Sequence, residues 1–233
     1  MKVTLVNYTK DPERTCAAAA FASTKEKLDD GIFEELNEKK VRGLLRNVIS
    51  RGHMSVVEHA SFTFNISGVS RALTHQLVRH RIASFTQQSQ RYVKLEDGSY
   101  TIPESISKDP EAMEAFNKLI QGSFEAYETL RAKGIPKEDA RYLLPNAMHS
   151  SIVMTMNARS LLHFFSLRCC NRAQWEIREL ADKMLAEVKE IAPTIFENAG
   201  PGCIRGPCPE GKFGCGTPRT NDPLFNSNGD SNE

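Results

Sequence analysis

The chain has 233 residues, 40% hydrophobic and 25% charged, with 30 Lys and Arg against 29 Asp and Glu for a formal charge of +1. This is the composition of a globular protein of one large domain or two small ones, and it excludes a globally basic nucleic-acid binder. The opening MKVTLVNYTKDPERT is too polar for a signal peptide and no stretch approaches the ~20 apolar residues of a membrane helix, so the sequence predicts a cytoplasmic protein with neither membrane nor nucleic acid as partner.

Residues 3–8, rich in β-branched side chains, predict a first strand. A helix follows over 13–28, where the alanines at 17–20 give high helix propensity. Leu36, Val41, Leu44, Leu45, Val48 and Ile49 fall on one helical face, and Gly52 stops that helix. Phe62, Phe64 and Ile66 alternate with polar residues, as in a half-buried strand. Ser67 then caps a helix to about residue 83, with Val69, Leu73 and Leu77 on its apolar side. On that helix Gln76 and His80 stack one turn apart, as do His75 and Arg79, and its end carries Arg79, His80 and Arg81, where cations suit the helix dipole. A polar loop of Ser, Thr and Gln runs on to Arg91.

Asp109 and Pro110 open a helix that reaches Gly134, and residues 137–143 form a short one ended by Pro145. Residues 150–156 predict a strand. Asn157 precedes a helix containing Leu161, Leu162, Phe164, Phe165 and Leu167. A long amphipathic helix spans 173–197, bent at Pro193. After Gly200 the chain is dense in Gly, Pro and Asn, which predicts an irregular tail with disordered last residues. The fold class is α+β, mixed helices and a small antiparallel sheet, with a domain over 1–200 and a partly disordered Gly/Pro/Cys-rich tail over 201–233.

The chemistry concentrates in RHRIASFTQQSQRY, residues 79–92. Adjacent cations followed by hydroxyl and amide donors and Arg91 point to anion recognition, phosphate above all, because arginine is rarely buried without a partner. The chain has no GxGxxG or GxxxxGK[ST] turn, so a dinucleotide would be held by side chains and helix ends. A solvated, salt-bridged helix end is the plain alternative. A single-stranded nucleic-acid module would stack bases on Phe85 and Tyr92, but near-neutral charge and 8% aromatic residues speak against it. His53, Glu58 and His59 lack the HExxH spacing of zinc enzymes. Cys203, Cys208 and Cys215, with Cys169 and Cys170, do not follow a zinc spacing either, so no metal is assigned. Ser89 reads as a binding residue, since the arginines flanking His80 depress its basicity.

The run Arg79-His80-Arg81 with Ser89 downstream resembles the RHR-x7-S signature of flavin-dependent thymidylate synthases. RGHMSVVEHASFTF, residues 51–64, is similar to that family's GH…EH-F-F segment, and MNARSLLHFFSLRCCNRAQWEIR, residues 156–178, to its NARSL…LR…AQWEIR block. The resemblance extends over residues 1–200 and fades in the tail. It implies an oligomeric enzyme that reductively methylates dUMP to dTMP, with methylene-tetrahydrofolate as carbon donor and NADPH-reduced FAD as electron source, in a homotetramer with shared active sites. The FAD contacts it implies are Ser55, Arg79, His80, Arg81, Gln87, Asn157, Arg159 and His163. For dUMP they are Gln76, Arg79, Gln87, Ser89, Gln90, Arg91, Arg141 and Arg168, and for the folate His53. Arg168 is the implied catalytic residue, a permanent cation beside the uracil ring that stabilises the negative charge developing during attack at carbon-5. Gln87 stands where the resemblance implies Glu, Thr86 where it implies Asn, and His163 likewise where it implies Asn. Cys169 and Cys170, next to Arg168, are where the tail would dock if it folds back.

Overall fold

The computed structural model describes residues 1–23, 31, 36–91 and 99–225. In chain order the elements are β1 (Lys2–Tyr8), α1 (Pro12–Ala22), α2 (Glu38–Ser50), β2 (Ser61–Ser70), α3 (Arg71–Leu77), β3 (Ser84–Gln87), α4 (Glu104–Ser107), α5 (Pro110–Ala132), α6 (Lys137–Ala140), β4 (His149–Asn157), α7 (Ala158–Arg168) and α8 (Trp175–Ile191). Short 3-10 turns lie at Met54–His59, Arg141–Leu143, Gly202–Ile204 and Gly211–Phe213.

The strands form one sheet in the order β1-β2-β4-β3. The Thr9 amide donates to Ser61 O, closing one end of the β1–β2 pair. Across β2 and β4 the Thr63 and Thr155 hydroxyls meet at 2.9 Å. The Ala158 amide donates to Ala60 O on one side of that pair and the Arg71 amide to Met148 O on the other, a register that only antiparallel strands produce. The mixed helices and small antiparallel sheet expected from the sequence are therefore present.

The described residues divide into two compact units. One comprises those in 1–2, 66–79 and 85–153, and the other those in 3–65, 80–84 and 154–225. In the first, Ile66, Val69, Leu73, Leu77, Ile120, Tyr127 and Ile152 are buried. Helix α5 begins where the sequence predicts, with the Asp109 carboxylate accepting from the Glu111 and Ala112 amides at 3.0 and 3.2 Å. In the second unit an aromatic ladder forms the core. Phe62 meets Phe196 edge-on at 5.5 Å, Phe196 meets Phe165 at 6.0 Å, and Phe165 meets Phe164 at 5.7 Å. Leu180, Met184, Leu185 and Val188 of α8 are fully buried in the same unit. Among the described residues no helix is long and apolar enough to cross a membrane.

Several boundaries differ from the sequence expectation. Strand β2 continues to Ser70, and Ser70, not Ser67, caps α3 by accepting from the Leu73 amide at 3.0 Å. The strand runs through residues 67–70, with Gly68 at φ +66° inside it, because a lost ladder would leave polar backbone unpaired. Helix α3 stops at Leu77, so Arg79, His80 and Arg81 follow it in a turn rather than riding its last turn, and His80 does not stack over Gln76 on a helix. The segment expected as an entirely polar loop contains β3, which β4 pairs: the Gln88 amide donates to Ser151 O. Helix α1 is assigned as Pro12–Ala22, and positions 24–28 of the expected helix lie outside the described residues, as do Tyr92 and residues 226–233 of the tail. Helix α8 ends at Ile191 instead of bending at Pro193. Ala192 sits at φ −138°, ψ 64°, as a residue before proline avoids the α region. Gly200, at φ +140°, faces the buried ring of Phe225, and a Cβ there would lie 2.6 Å from that ring. Only glycine fits both constraints.

Candidate functional site

Each unit carries part of the expected constellation. In the unit containing α7, Arg168 is the last residue of that helix and is half-buried. Its Nε–H donates to His80 Nε2 at 3.0 Å. An arginine can only donate, so His80 accepts at Nε2 and carries its proton on Nδ1. The His80 ring packs edge-on against Phe164 at 4.9 Å and approaches His163 at 6.4 Å. Burial, then the charges of Arg168 and His163, lower the His80 pKa from 6.5 to about 4. A neutral imidazole thus fixes the plane of a permanently charged guanidinium.

That linkage makes a pH prediction. An unfolded histidine protonates near 6.5, and native His80 only near 4. Between these values the unfolded chain binds the extra proton, so the stability tied to neutral His80 is complete above pH 6.5 and is lost as pH falls toward 4. An NMR titration of the His80 ring is expected to show a midpoint of about 4; a midpoint at 6.5 would rule out the neutral acceptor.

In the same unit Asn157 caps α7 by accepting from the Ser160 amide at 2.9 Å. Arg159, on the first turn of α7, pairs with Glu58. Glu58 was not among the expected site residues. Its signal was its place in the motif-bearing segment 51–64. Ser55 and His53 are exposed at the Met54–His59 turn, and His163 and Arg81 are exposed as well. A cavity of about 1060 Å³ is lined by Arg168 and by tail residues such as Cys208 and Thr217. A second cleft of about 750 Å³, lined by Arg46, Arg51, Met54 and Leu162, contains none of the expected residues.

The other unit carries the remaining candidates. Gln87 Nε2 donates to Thr74 Oγ1 at 3.0 Å and to Ser150 Oγ at 3.1 Å. Its amide is thus engaged by two hydroxyls that no motif pointed to. Ser89 Oγ accepts from the Arg91 amide at 3.2 Å, and the Arg91 guanidinium meets Glu138 at 2.7 Å. Arg141 Nε donates to Glu138 O at 3.0 Å. Glu138 therefore ties Arg91 and Arg141 into one group. Arg71 is half-buried nearby, and burial followed by the charge of Arg141 lowers its pKa. Gln76 lies on α3, half-buried, with its amide 3.4 Å from Ala72 O. Gln90 is half-buried and Arg79 exposed. A cationic group with serine and amide donors is suited to hold a phosphate.

All six cysteines are free thiols, and among the described residues no three His, Cys, Asp or Glu side chains converge as a metal site. The family model described as thymidylate synthase complementing protein matches residues 4–194. A flavin-dependent thymidylate synthase of Geobacter sulfurreducens is 51% identical over 218 residues, covering 93% of this chain and 94% of that protein. One from Clostridium tetani is 48% identical over 232 residues, covering 93% of each, and one from Pyrococcus abyssi is 49% identical over 219, covering 90% of each. Among solved structures, a UMP/dUMP methylase of Streptomyces cacaoi bound with 5-Br dUMP aligns with a TM-score of 0.74 at 27% identity, over 84% of this chain and 93% of that one.

Proposed function

This chain belongs to the thymidylate synthase complementing protein family and is a flavin-dependent thymidylate synthase by kind, and from that premise we propose that it reductively methylates dUMP to dTMP with methylene-tetrahydrofolate as carbon donor and NADPH as the source of reducing power. The observation that carries the site assignment is the 3.0 Å bond from Arg168 Nε to neutral His80. Arg168, so held, stabilises negative charge on the pyrimidine as carbon-5 is attacked. Ser89, Gln90, Arg91 and Arg141, with Gln76, bind the nucleotide. His53 packs against the folate.

The donor set suits FAD. Arg79 and Arg81 are exposed, and with Arg159 they supply planar, bidentate donors for a diphosphate. Ser55 adds a hydroxyl, and His163 an imidazole on α7. Asn157 holds the start of the helix that carries Arg159. Gln87 binds through its carbonyl while its amide stays on Thr74 and Ser150. When bound, FAD reduced by NADPH supplies the electrons of the methylation. The working enzyme is a cytoplasmic homotetramer with active sites shared between subunits. Residues 1–200 carry the chemistry, and 201–233 form an appended tail.

The test is spectroscopic. Protein reconstituted with FAD is expected to show a flavin spectrum that NADPH bleaches without oxygen. It should then convert dUMP to dTMP once methylene-tetrahydrofolate is added. A colourless protein that ignores added FAD would sink the reading.

A further inference from the structure

Arg219 lies in the Gly/Pro-rich tail, yet its side chain is only 14% exposed. One nitrogen, Nη1, donates to both carboxylate oxygens of Asp182 on α8 and to the carbonyl of Cys169, each at 2.9 Å. Nε and Nη2 donate to Asp222 Oδ2, and the guanidinium lies 4.6 Å over the buried ring of Phe225. The tail touches the next residues of the same corner too. Asn171 Nδ2 donates to Thr217 O at 2.8 Å, and Arg172 donates to Phe213 O and pairs with Glu210. Cys169, Asn171 and Arg172 lie within four residues of Arg168, so the segment that leaves α7 is bonded to the tail at three of its first four residues.

Those tail residues also line a cavity. The cavity lined by Arg168 has tail residues for most of its wall, and its lining carries Arg168, Arg172, Arg205, Lys212 and Arg219 against the single carboxylate of Glu210. Glu210 is already paired with Arg172. Arg219 is itself paired with Asp182 and Asp222, and the remaining excess of cations along the lining raises the local concentration of anions.

We propose that Arg219 is a positioning residue: it latches the tail against the end of α7, making the tail a wall of the cavity in which Arg168 meets an anionic pyrimidine nucleotide. The proposal rests on the reading of Arg168 given above. Arg219 is not itself at the reacting atoms. It acts by holding the backbone on which Arg168 sits, and small displacements there are costly, since misplacement by an ångström is worth about a hundredfold in rate. Removing it would also strand Asp182, whose charged form burial disfavours and which Arg219, through its hydrogen bonds and its charge, does most to offset, with the Cys169 thiol adding a further hydrogen bond. The Cys169 thiol reports the latch, because it is fully buried and burial pushes its pKa far above the ordinary value, so it resists alkylation while the tail is seated.

The experiment uses the full chain reconstituted with FAD. Arg219→Ala is expected to bind FAD, to expose Cys169 to N-ethylmaleimide, and to lose dUMP affinity and methylation by about tenfold or more but by no more than Arg168→Ala does; Arg219→Lys should recover part of this loss. In an Arg168→Ala background, adding Arg219→Ala should change dUMP affinity by less than about twofold, because the two act through one guanidinium. Should Arg219→Ala fail to fold, Asp222→Asn weakens the latch from the tail side alone and should give an intermediate loss with partial Cys169 labelling. Labelling of Cys169 with undiminished methylation overturns the latch, and so do equal losses with and without Arg168, which would mark Arg219 as merely structural. Full dUMP binding and turnover in Arg168→Ala alone is a different failure: it removes the reading of Arg168 on which the latch depends.

Discussion

Replacing Arg168 by alanine is expected to leave FAD bound while dUMP affinity and methylation fall roughly ten- to a hundred-fold, the equivalent of losing a charged hydrogen bond of about 1.5–3 kcal/mol. The guanidinium ends α7, and its plane is set by the bond from Nε to His80. Arg168→Lys should restore only part of the loss. An ammonium supplies a point charge, but neither the planar fork nor the Nε–H that His80 accepts. Calorimetric titration with dUMP and a product assay check both variants. Wild-type affinity and turnover in Arg168→Ala would remove Arg168 from the mechanism.

Phe164→Ala is expected to cost about 3–5 kcal/mol of stability, as for other buried aromatic truncations. Phe164 is fully buried, edge-on to Phe165 at 5.7 Å and to His80 at 4.9 Å. For a chain of this size the melting temperature should fall by about 6–20 °C. Phe164→Leu tests the second role of the ring. It retains most of the buried volume, so stability should recover, but the edge that steadies His80 is gone and nucleotide methylation should stay reduced. Thermal melts alongside the product assay separate the two effects. A melting temperature in Phe164→Ala within about 2 °C of wild type would show that the ring is not part of the core.

Which parts of this arrangement could be read in advance follows from how far apart the interacting residues lie. Helices α2, α5 and α7 announce themselves through local signals: an apolar face stopped by Gly52 for α2, Asp109 and Pro110 at the start of α5, and Asn157 before the apolar residues of α7. The end of β2 was harder, because Ser67 and Ser70 are equally good caps in isolation. The pairing of β2 with β4 decides between them, and it joins residues as distant as Thr63 and Thr155. Strand β3, SFTQ, has one apolar residue and no alternation to reveal it; β4 recruits it. Similarly, the motifs named Arg159, Gln87 and Arg91 but not their partners. Glu58 is 101 residues from Arg159, and Ser150 is 63 from Gln87. Pro193 was legible as a disturbance, though its effect is to end α8 rather than to bend it. Over the described residues 201–225 the Gly/Pro-rich tail holds the short 3-10 turns Gly202–Ile204 and Gly211–Phe213 and neither α-helix nor strand. Composition carries no sign that Arg219 finds Asp182, 37 residues back.

The strand order has a consequence for how the chain is made. β2 is bordered by β1 on one side and by β4 on the other, and β3 borders only β4. During synthesis from the N-terminus, β1 and β2 emerge early and can pair at once. The other edge of β2 then stays open until Thr155 has left the ribosome 92 residues later, and β3 waits equally without a partner. Closure over so long a separation is slow, because loop entropy is lost before the contacts repay it. An open edge carrying the apolar Phe62, Phe64 and Ile66 is what a nascent chain must shield from its neighbours, so β4 is the element whose arrival commits the sheet.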